Sequence, residues 1–216
     1  MLRRGGFHHV ACLERMVRVY DPQPFAELAP LTPQARNLLA LQRDRAAQAP
    51  PAVAADAGPL GERFGDYRLA GVNQLSRRAA DLGWRYLDHP YYSYDLFLLE
   101  PETPRATLVV LRRESHPAFA IGHILEILPL GAEPADVPAF ADAYAREHGL
   151  ALLDAHFMLP RLTAPFWAAG WLSTRNDVEY WLPGLFNPLE LRRPPSASVT
   201  YWSRCSGART GRSAMI

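Results

Sequence analysis

The sequence contains no lysine; its 23 basic residues are all arginines. That absence excludes Schiff-base chemistry and every other use of a lysine amine. Cysteine is scarce. Cys12 and Cys205 stand near opposite ends, which is neither a disulfide framework nor a metal cluster. They read as two free thiols in a reducing cytoplasm. No apolar run approaches the roughly 20 residues that a bilayer-spanning helix needs. The basic start MLRRGGFHHV lacks the apolar stretch of a signal peptide. A cytoplasmic protein with no membrane partner is expected. Net charge is only +1, so the chain as a whole has no pull toward nucleic acid. None of the seven histidines stands at a ligand spacing such as His-x-x-x-His, and adjacent His8 and His9 would point opposite ways on a strand. No metal is expected. Gly-x-Ser-x-Gly and Walker loops are missing too.

What is present is a core. Hydrophobic residues make up 49% of the 216 and charged residues 21%, which fits one domain or one and a half. Arginine without lysine, among many alanines, points to a GC-rich bacterial coding sequence. The run from Phe7 to Tyr20 reads as one or two strands. Thr32 and Pro33 open an amphipathic helix through Leu38, Leu41 and Arg45. A Pro-, Ala- and Gly-rich linker or loop follows. Asn73 caps the next helix, whose stripe is Leu75, Ala79, Leu82 and Tyr86. Pro90 ends it by biasing His89 away from helical angles.

Three strand-like segments come next: YSYDLFLLE, RATLVVLRRE and AFAIGHILEILPL. The last is apolar on both faces, as a central strand should be, and Gly122 within it is read as a bulge. In the first, Tyr92, Tyr94, Leu96 and Leu98 share one face. ADVPAFADAYAREHG is the clearest helix. Asp136 caps it, Pro138 sits in its first turn, Gly149 ends it, and Val137, Phe140, Ala141, Tyr144 and Ala145 line one face. LALLDAHFM is a strand, TAPFWAAG a short helix capped by Thr163 and ended by Gly170, and WLSTRNDVEYWLP a final strand or strand pair. Three strands, a helix and another strand imply an antiparallel meander followed by a crossover to a parallel neighbour. The expected fold class is therefore α/β (α+β), a mixed and mostly antiparallel sheet flanked by helices.

That order resembles the GNAT superfamily of N-acetyltransferases. HILEILPL is similar to its fourth strand, ADVPAFADAYAREHG to its central helix, LALLDAHFM to its fifth strand, and FWAAGW to its last helix. WRYLDHPYYSY and GLFNPLE resemble a bacterial group of two-module GNAT-like proteins linked to surface-polysaccharide or amino-sugar pathways. An internal echo accompanies this. GGFHHVACLERMVRVYDP and AGWLSTRNDVEYWLPGLFNP both open on Gly-aromatic and close on an apolar pair before Asp-Pro or Asn-Pro. The division drawn from it has residues 1–60 as the end of a preceding module plus a helix, 61–190 as a GNAT-like domain and 191–216 as a basic tail. Arg192, Arg193, Arg204, Arg209 and Arg212 lie in that tail with no acid after Glu190, and it reads as a solvated terminus. A second GNAT-like module or a homo-oligomer is the implied protein partner.

The resemblance implies an acyl-CoA-dependent N-acyltransferase acting on a small amine, such as an amino sugar, with acetyl-CoA or another acyl-CoA as the bound donor. It implies that the backbone along Ile127, Leu128, Leu130 and Gly131 pairs with the donor's arm. Two family signatures fail here. The loop LPLGAEPADVPAF keeps Gly131 but lacks the family's arginine and second glycine. It adds Glu133 and Asp136, which repel phosphate, and Pro134 and Pro138 remove two N–H donors. Phe166 stands where many members carry a general-acid tyrosine. A non-catalytic GNAT-like module, packing or binding a ligand, is therefore the alternative.

The remaining candidates are polar residues on apolar strands. Glu126 could take a proton from an amine, or could simply pair with an arginine. Asp154 and His156 alternate on one strand and so share a face; they read as an oriented base or as a satisfied pair. His123, three residues before Glu126, is expected to face the other way. Arg85, Tyr86 and His89, at the hinge between helix and sheet, are expected to line the acceptor side.

Overall fold

The computed structural model describes residues 14–28, 33, 48–65, 67, 78–157 and 160–173. In chain order the elements are β1 (Glu14–Val19), α1 (Gln23–Leu28), β2 (Ala52–Ala54), α2 (Ala57–Arg63), α3 (Ala79–Leu82), a π-helical turn (Gly83–Leu87), β3 (Asp95–Leu99), β4 (Thr107–His116), β5 (Phe119–Pro129), α4 (Val137–Glu147), β6 (Leu150–Phe157), α5 (Pro160–Ala168) and β7 (Leu172–Ser173). The seven strands form one sheet in the order β2-β3-β4-β5-β6-β1-β7. Only β5 and β6 are parallel, joined by α4 as crossover; every other pair is antiparallel. This is the mixed, mostly antiparallel sheet that the element order predicts. Strands on both sides of residue 60 share it.

Helices cover both faces. Ile124, Ile127, Leu153, Ala155 and Phe157 meet Phe140, Ala141 and Tyr144 of α4 and Leu162 and Phe166 of α5 on one face. On the other, Leu96, Leu98, Leu108, Val110 and Leu128 meet Leu60 of α2, Leu82 of α3 and Tyr86 of the π turn. Val17, Val19, Ile121 and Leu152 extend that second face toward Phe25 of α1.

The local chemistry explains α4. Asp136 Oδ1 accepts from the Ala139 N–H at 3.1 Å, and Pro138 occupies the first turn, where no N–H is needed. Gly149 ends it with φ +59, an angle that favours glycine. All five residues expected on its apolar face are buried.

Elsewhere tertiary packing redraws the expectations. The Pro-, Ala- and Gly-rich stretch read as a linker or loop carries β2, paired to β3, and α2, capped by Asp56. The bulge lies at Leu125, where β5 slips against Val110 and Leu111 of β4, and not at Gly122. Gly122 serves close packing instead: a Cβ there would stand 2.8 Å from Leu150 Cδ1. The first meander strand starts at Asp95, leaving Tyr91–Tyr94 as an approach loop. α5 begins at Pro160, so Thr163 is a buried residue within it and not its cap, while Gly170 (φ +80) ends it as expected. The histidine pair His8–His9, both cysteines, Asn73, Leu75 and the tail from Leu191 lie outside the described residues, as do nearly all of the helix opened by Thr32 and the final strand beyond Ser173.

Candidate functional site

β5 and β6 part company along their length. Their parallel pairing runs from Ala120–Leu150 to Ile124–Ala155 and stops, while β5 stays paired to β4 as far as Pro129. The result is a fork at the C-terminal ends of two parallel strands, the general location of ligand crevices in such sheets. The β4–β5 bonding orients its edge. Leu130 N–H donates to Ala106 O at 2.8 Å, so Leu128 and Leu108 exchange bonds as well, and Ile127 and Val109 do not. Ile127 therefore turns its N–H and C=O toward the fork. The side chains of Ile127 and Leu128 are buried in the cores on opposite faces.

At the base of the fork, one residue before the strands separate, His123 of β5 stands opposite Asp154 of β6. His123 Nδ1 lies 2.6 Å from Asp154 Oδ1, and each residue is only 1% exposed. Arg15, reaching across from β1, holds the other oxygen: Nε and Nη2 are both 2.8 Å from Oδ2. Burial pushes the Asp154 carboxyl up, but its interactions with His123 and Arg15 outweigh this and hold it below the usual carboxylate range. An ionised Asp154 only accepts, so Nδ1 of His123 carries the proton it shares. Nε2 is left to exchange a proton with something else. It has no hydrogen-bond partner among the described residues, and Glu114 Oε1 is 3.9 Å away. A buried imidazole with one nitrogen fixed by a carboxylate and the other open can act as a proton acceptor.

The pairing differs from the one that alternation along β6 predicts. Asp154 and His156 do share a face, yet the imidazole at hydrogen-bond distance from Asp154 is that of His123 on the neighbouring strand. Burial, with the nearby Arg15, pushes His156 down to about 4 despite Asp154, so it is neutral near pH 7. His123 and Glu126 also face the same way, contrary to simple alternation. Arg112 and Val110, two residues apart on β4, pair with His123 and Glu126, because the bulge at Leu125 absorbs one residue.

Glu126 is fully buried. Tyr86 O–H donates to its Oε1 at 2.9 Å, and Arg85 Nη1 stands 4.0 Å from the same oxygen. Two consecutive residues reach one carboxylate because the helix widens into a π turn there, a feature that often marks functional sites. His89 belongs to a turn: its Nδ1 accepts from the Tyr91 and Tyr92 N–H groups, both at 3.1 Å. The aromatic stretch around it is divided. Tyr86 is buried, Tyr94 packs against the same core, and Trp84 and Tyr91 are largely exposed.

On the opposite face a cavity of about 1070 Å³ opens between α4, α5 and the loop after β5. Pro129, Ala139, Leu162 and Pro165 supply apolar walls; Arg105, Arg161, Glu133, Asp136 and Asp142 supply charge. Arg18 of β1 ties its two helices together, with Nε 3.0 Å from Asp142 of α4 and Nη1 donating to Ala169 O after α5 at 3.1 Å. Burial pushes the Asp142 carboxyl up against the pull of Tyr20 and Arg18. The α4 N-terminus is already capped by Asp136. Gly131 packs rather than cradles: a Cβ on it would stand 2.0 Å from Pro104 O. Arg105 is spent on Pro134 O at 3.2 Å. A diphosphate does not fit that helix end.

Residues that sequence reasoning left out are His123 as Asp154's partner, Arg15, Arg112 and Glu114. The available signal was polar residues at two-residue spacing on otherwise apolar strands; their lateral partners needed the register. No group of three or more metal-ligating side chains occurs among the described residues, and none of the described helices is long and apolar enough to cross a membrane. No protein-family model matches the chain, and no curated protein matches it.

Proposed function

We propose that the chain is a GNAT-like module that transfers an acyl group from a thioester to a small amine, with His123 as the proton acceptor. The observation that carries this is the place of the dyad: His123 and Asp154 sit where β5 and β6 separate, and the large cavity is lined by Pro129 at the end of the same fork. A thioester donor supplies an activated carbonyl carbon. The residues fit its extended arm, because Ile127 turns an N–H and a C=O toward the fork. They do not fit the diphosphate of a coenzyme A at the start of α4. In the transfer the amine nitrogen bonds to the carbonyl carbon, the carbon–sulfur bond breaks, and the amine proton passes to His123 Nε2 and on to the departing thiolate. Asp154 steadies the imidazolium formed on the way. Glu126, closed off by Tyr86, holds the π turn in place. A cytoplasmic location, where acyl thioesters are made and thiols stay reduced, belongs to the same proposal.

The experiment is thermal unfolding with acetyl-CoA and with acetyl-pantetheine, which lacks the diphosphate. Both are expected to raise the melting temperature by similar amounts; a ligand at 100 times its Kd stabilises by about 2.7 kcal/mol. A shift with acetyl-CoA alone would show that the diphosphate is bound after all. No shift with either ends the transferase reading and leaves a ligand-binding module without turnover, which the occupied α4 N-terminus favours as the second reading.

A further inference from the structure

Beside the dyad, the second face of the sheet carries a row of buried polar atoms. Arg112 of β4 is the register partner of His123, and His123 that of Asp154. Tyr94 immediately precedes β3, whose first residue Asp95 pairs with Leu111, the neighbour of Arg112. Tyr94, Arg112 and His123 thus come from three consecutive positions across the sheet. Each keeps one polar atom buried with no hydrogen-bond partner among the described residues: Tyr94 Oη, Arg112 Nε and His123 Nε2. Such atoms are rare in folded proteins, because a buried donor without an acceptor loses its water and gains nothing. Here three fall in one row.

Two other contacts hold the Arg112 side chain. Its Nη2 donates to Glu114, and its guanidinium lies over the Tyr92 ring at 4.7 Å from the centroid. The open Nε–H is thereby held in one orientation and keeps its positive character. Tyr94 is fixed by edge contacts with Tyr86 at 5.1 Å and His89 at 5.5 Å.

We infer that this row is the acceptor site, and that it takes a small molecule bearing a carboxylate next to its nucleophilic amine. The carboxylate satisfies the Arg112 Nε–H and Tyr94 O–H donors, and the amine is presented to His123 Nε2. The chemistry decides the class. A guanidinium N–H and a phenol O–H from neighbouring strand positions both call for an acceptor oxygen, and the charge-assisted bond to a carboxylate is the stronger choice. Directly paired residues on adjacent strands have Cβ atoms about 5 Å apart, which suits a carboxylate and an amine separated by one or two carbons. The inference rests on the reading of His123 as proton acceptor, and deepens it from any small amine to an amino acid.

The test observes Arg112 directly and requires no turnover. In the full chain labelled with ¹⁵N, the Arg112 Nε–H signal is identified by its loss in Arg112→Gln. Glycine, β-alanine, L-alanine and L-glutamate are then added at millimolar concentration, alongside alaninamide and D-glucosamine as probes without a carboxylate. The expected result is movement of the Arg112 signal with at least one of the acids and with neither carboxylate-free probe. Tyr94→Phe should weaken that binding several-fold, and Arg112→Gln by roughly tenfold or more, with the folded spectrum retained. Movement with glucosamine or alaninamide overturns the carboxylate assignment in favour of a neutral acceptor. Stillness with every probe overturns the site. Because no thioester is present, failure here is distinct from failure to bind acetyl-CoA or acetyl-pantetheine.

Discussion

Glu126 and Asp154 are two carboxylates buried on the same face of one sheet, on neighbouring strands. Their surroundings differ. Asp154 is gripped by two side chains from flanking strands, His123 and Arg15, and the imidazole it orients keeps its far nitrogen open. Glu126 receives a phenol from the π turn, with Arg85 farther off. Isolated on a sequence, Glu126 is the more conspicuous acid, alone in an apolar strand. In three dimensions it meets the phenol of a π turn, whereas the acid in the less conspicuous setting orients an imidazole. Burial alone does not single out a candidate carboxylate; what its partner has left to offer does.

The contrast is sharpest on removal. Asp154→Ala leaves the buried His123 and the partly buried Arg15 without the carboxylate they share and should cost roughly 3–5 kcal/mol, read from the urea midpoint followed by circular dichroism. A cost under about 1 kcal/mol would mean the two are satisfied without it. Acid should expose the same cluster next. Unfolded His156 takes a proton near its ordinary pKa of 6.5, whereas the folded residue refuses it until about 4. Stability should therefore fall as pH drops across that window, by something on the order of 3 kcal/mol. Asp154 works at lower pH: its folded carboxyl stays ionised where an unfolded one is protonated, so its contribution is present above the ordinary carboxylate range and lost below it. Urea titrations of His156→Asn at several pH values should show a flatter slope between 4 and 6.5, and an unchanged slope would rule His156 out as the source.

Around Glu126 smaller effects are expected. Tyr86→Phe removes the donor to a buried carboxylate and should cost about 1.5–3 kcal/mol in the same measurement. Glu126→Gln keeps an acceptor for Tyr86 and should shift stability by no more than about 1 kcal/mol, with acyl transfer retained. Loss of transfer in that variant with the fold intact would return the base role to Glu126 and reverse the comparison.

Much of the architecture was readable along the chain. The cap at Asp136, Gly149 after α4 and the five residues of its buried face follow from local rules. So does the parallel β5–β6 pair, because a helix joins them. The alternation of Leu96 and Leu98 against Phe97 correctly divided β3 between the two cores. The site was less readable. A single extra residue at Leu125 reverses which side chains share a face, and nothing in HILEILPL marks where it falls. The widening of the helix at Gly83–Leu87 is equally silent in the sequence, although it brings both Arg85 and Tyr86 to Glu126.

The sequence by itself determined the element types from β3 to α5, the caps of α4 and the apolar faces of β3 and α4, because these depend on neighbours within a turn or a strand. It also determined that no lysine chemistry takes place here. Only the tertiary structure decided that β1 enters between β6 and β7, that its Arg15 reaches Asp154, and that Asp154 turns to His123 instead of His156. Lateral pairing in a sheet joins residues far apart along the chain, His123 and Asp154 by 31 positions and Arg15 and Asp154 by 139. The partner of a buried charge is therefore set by strand order and register, which no local pattern encodes.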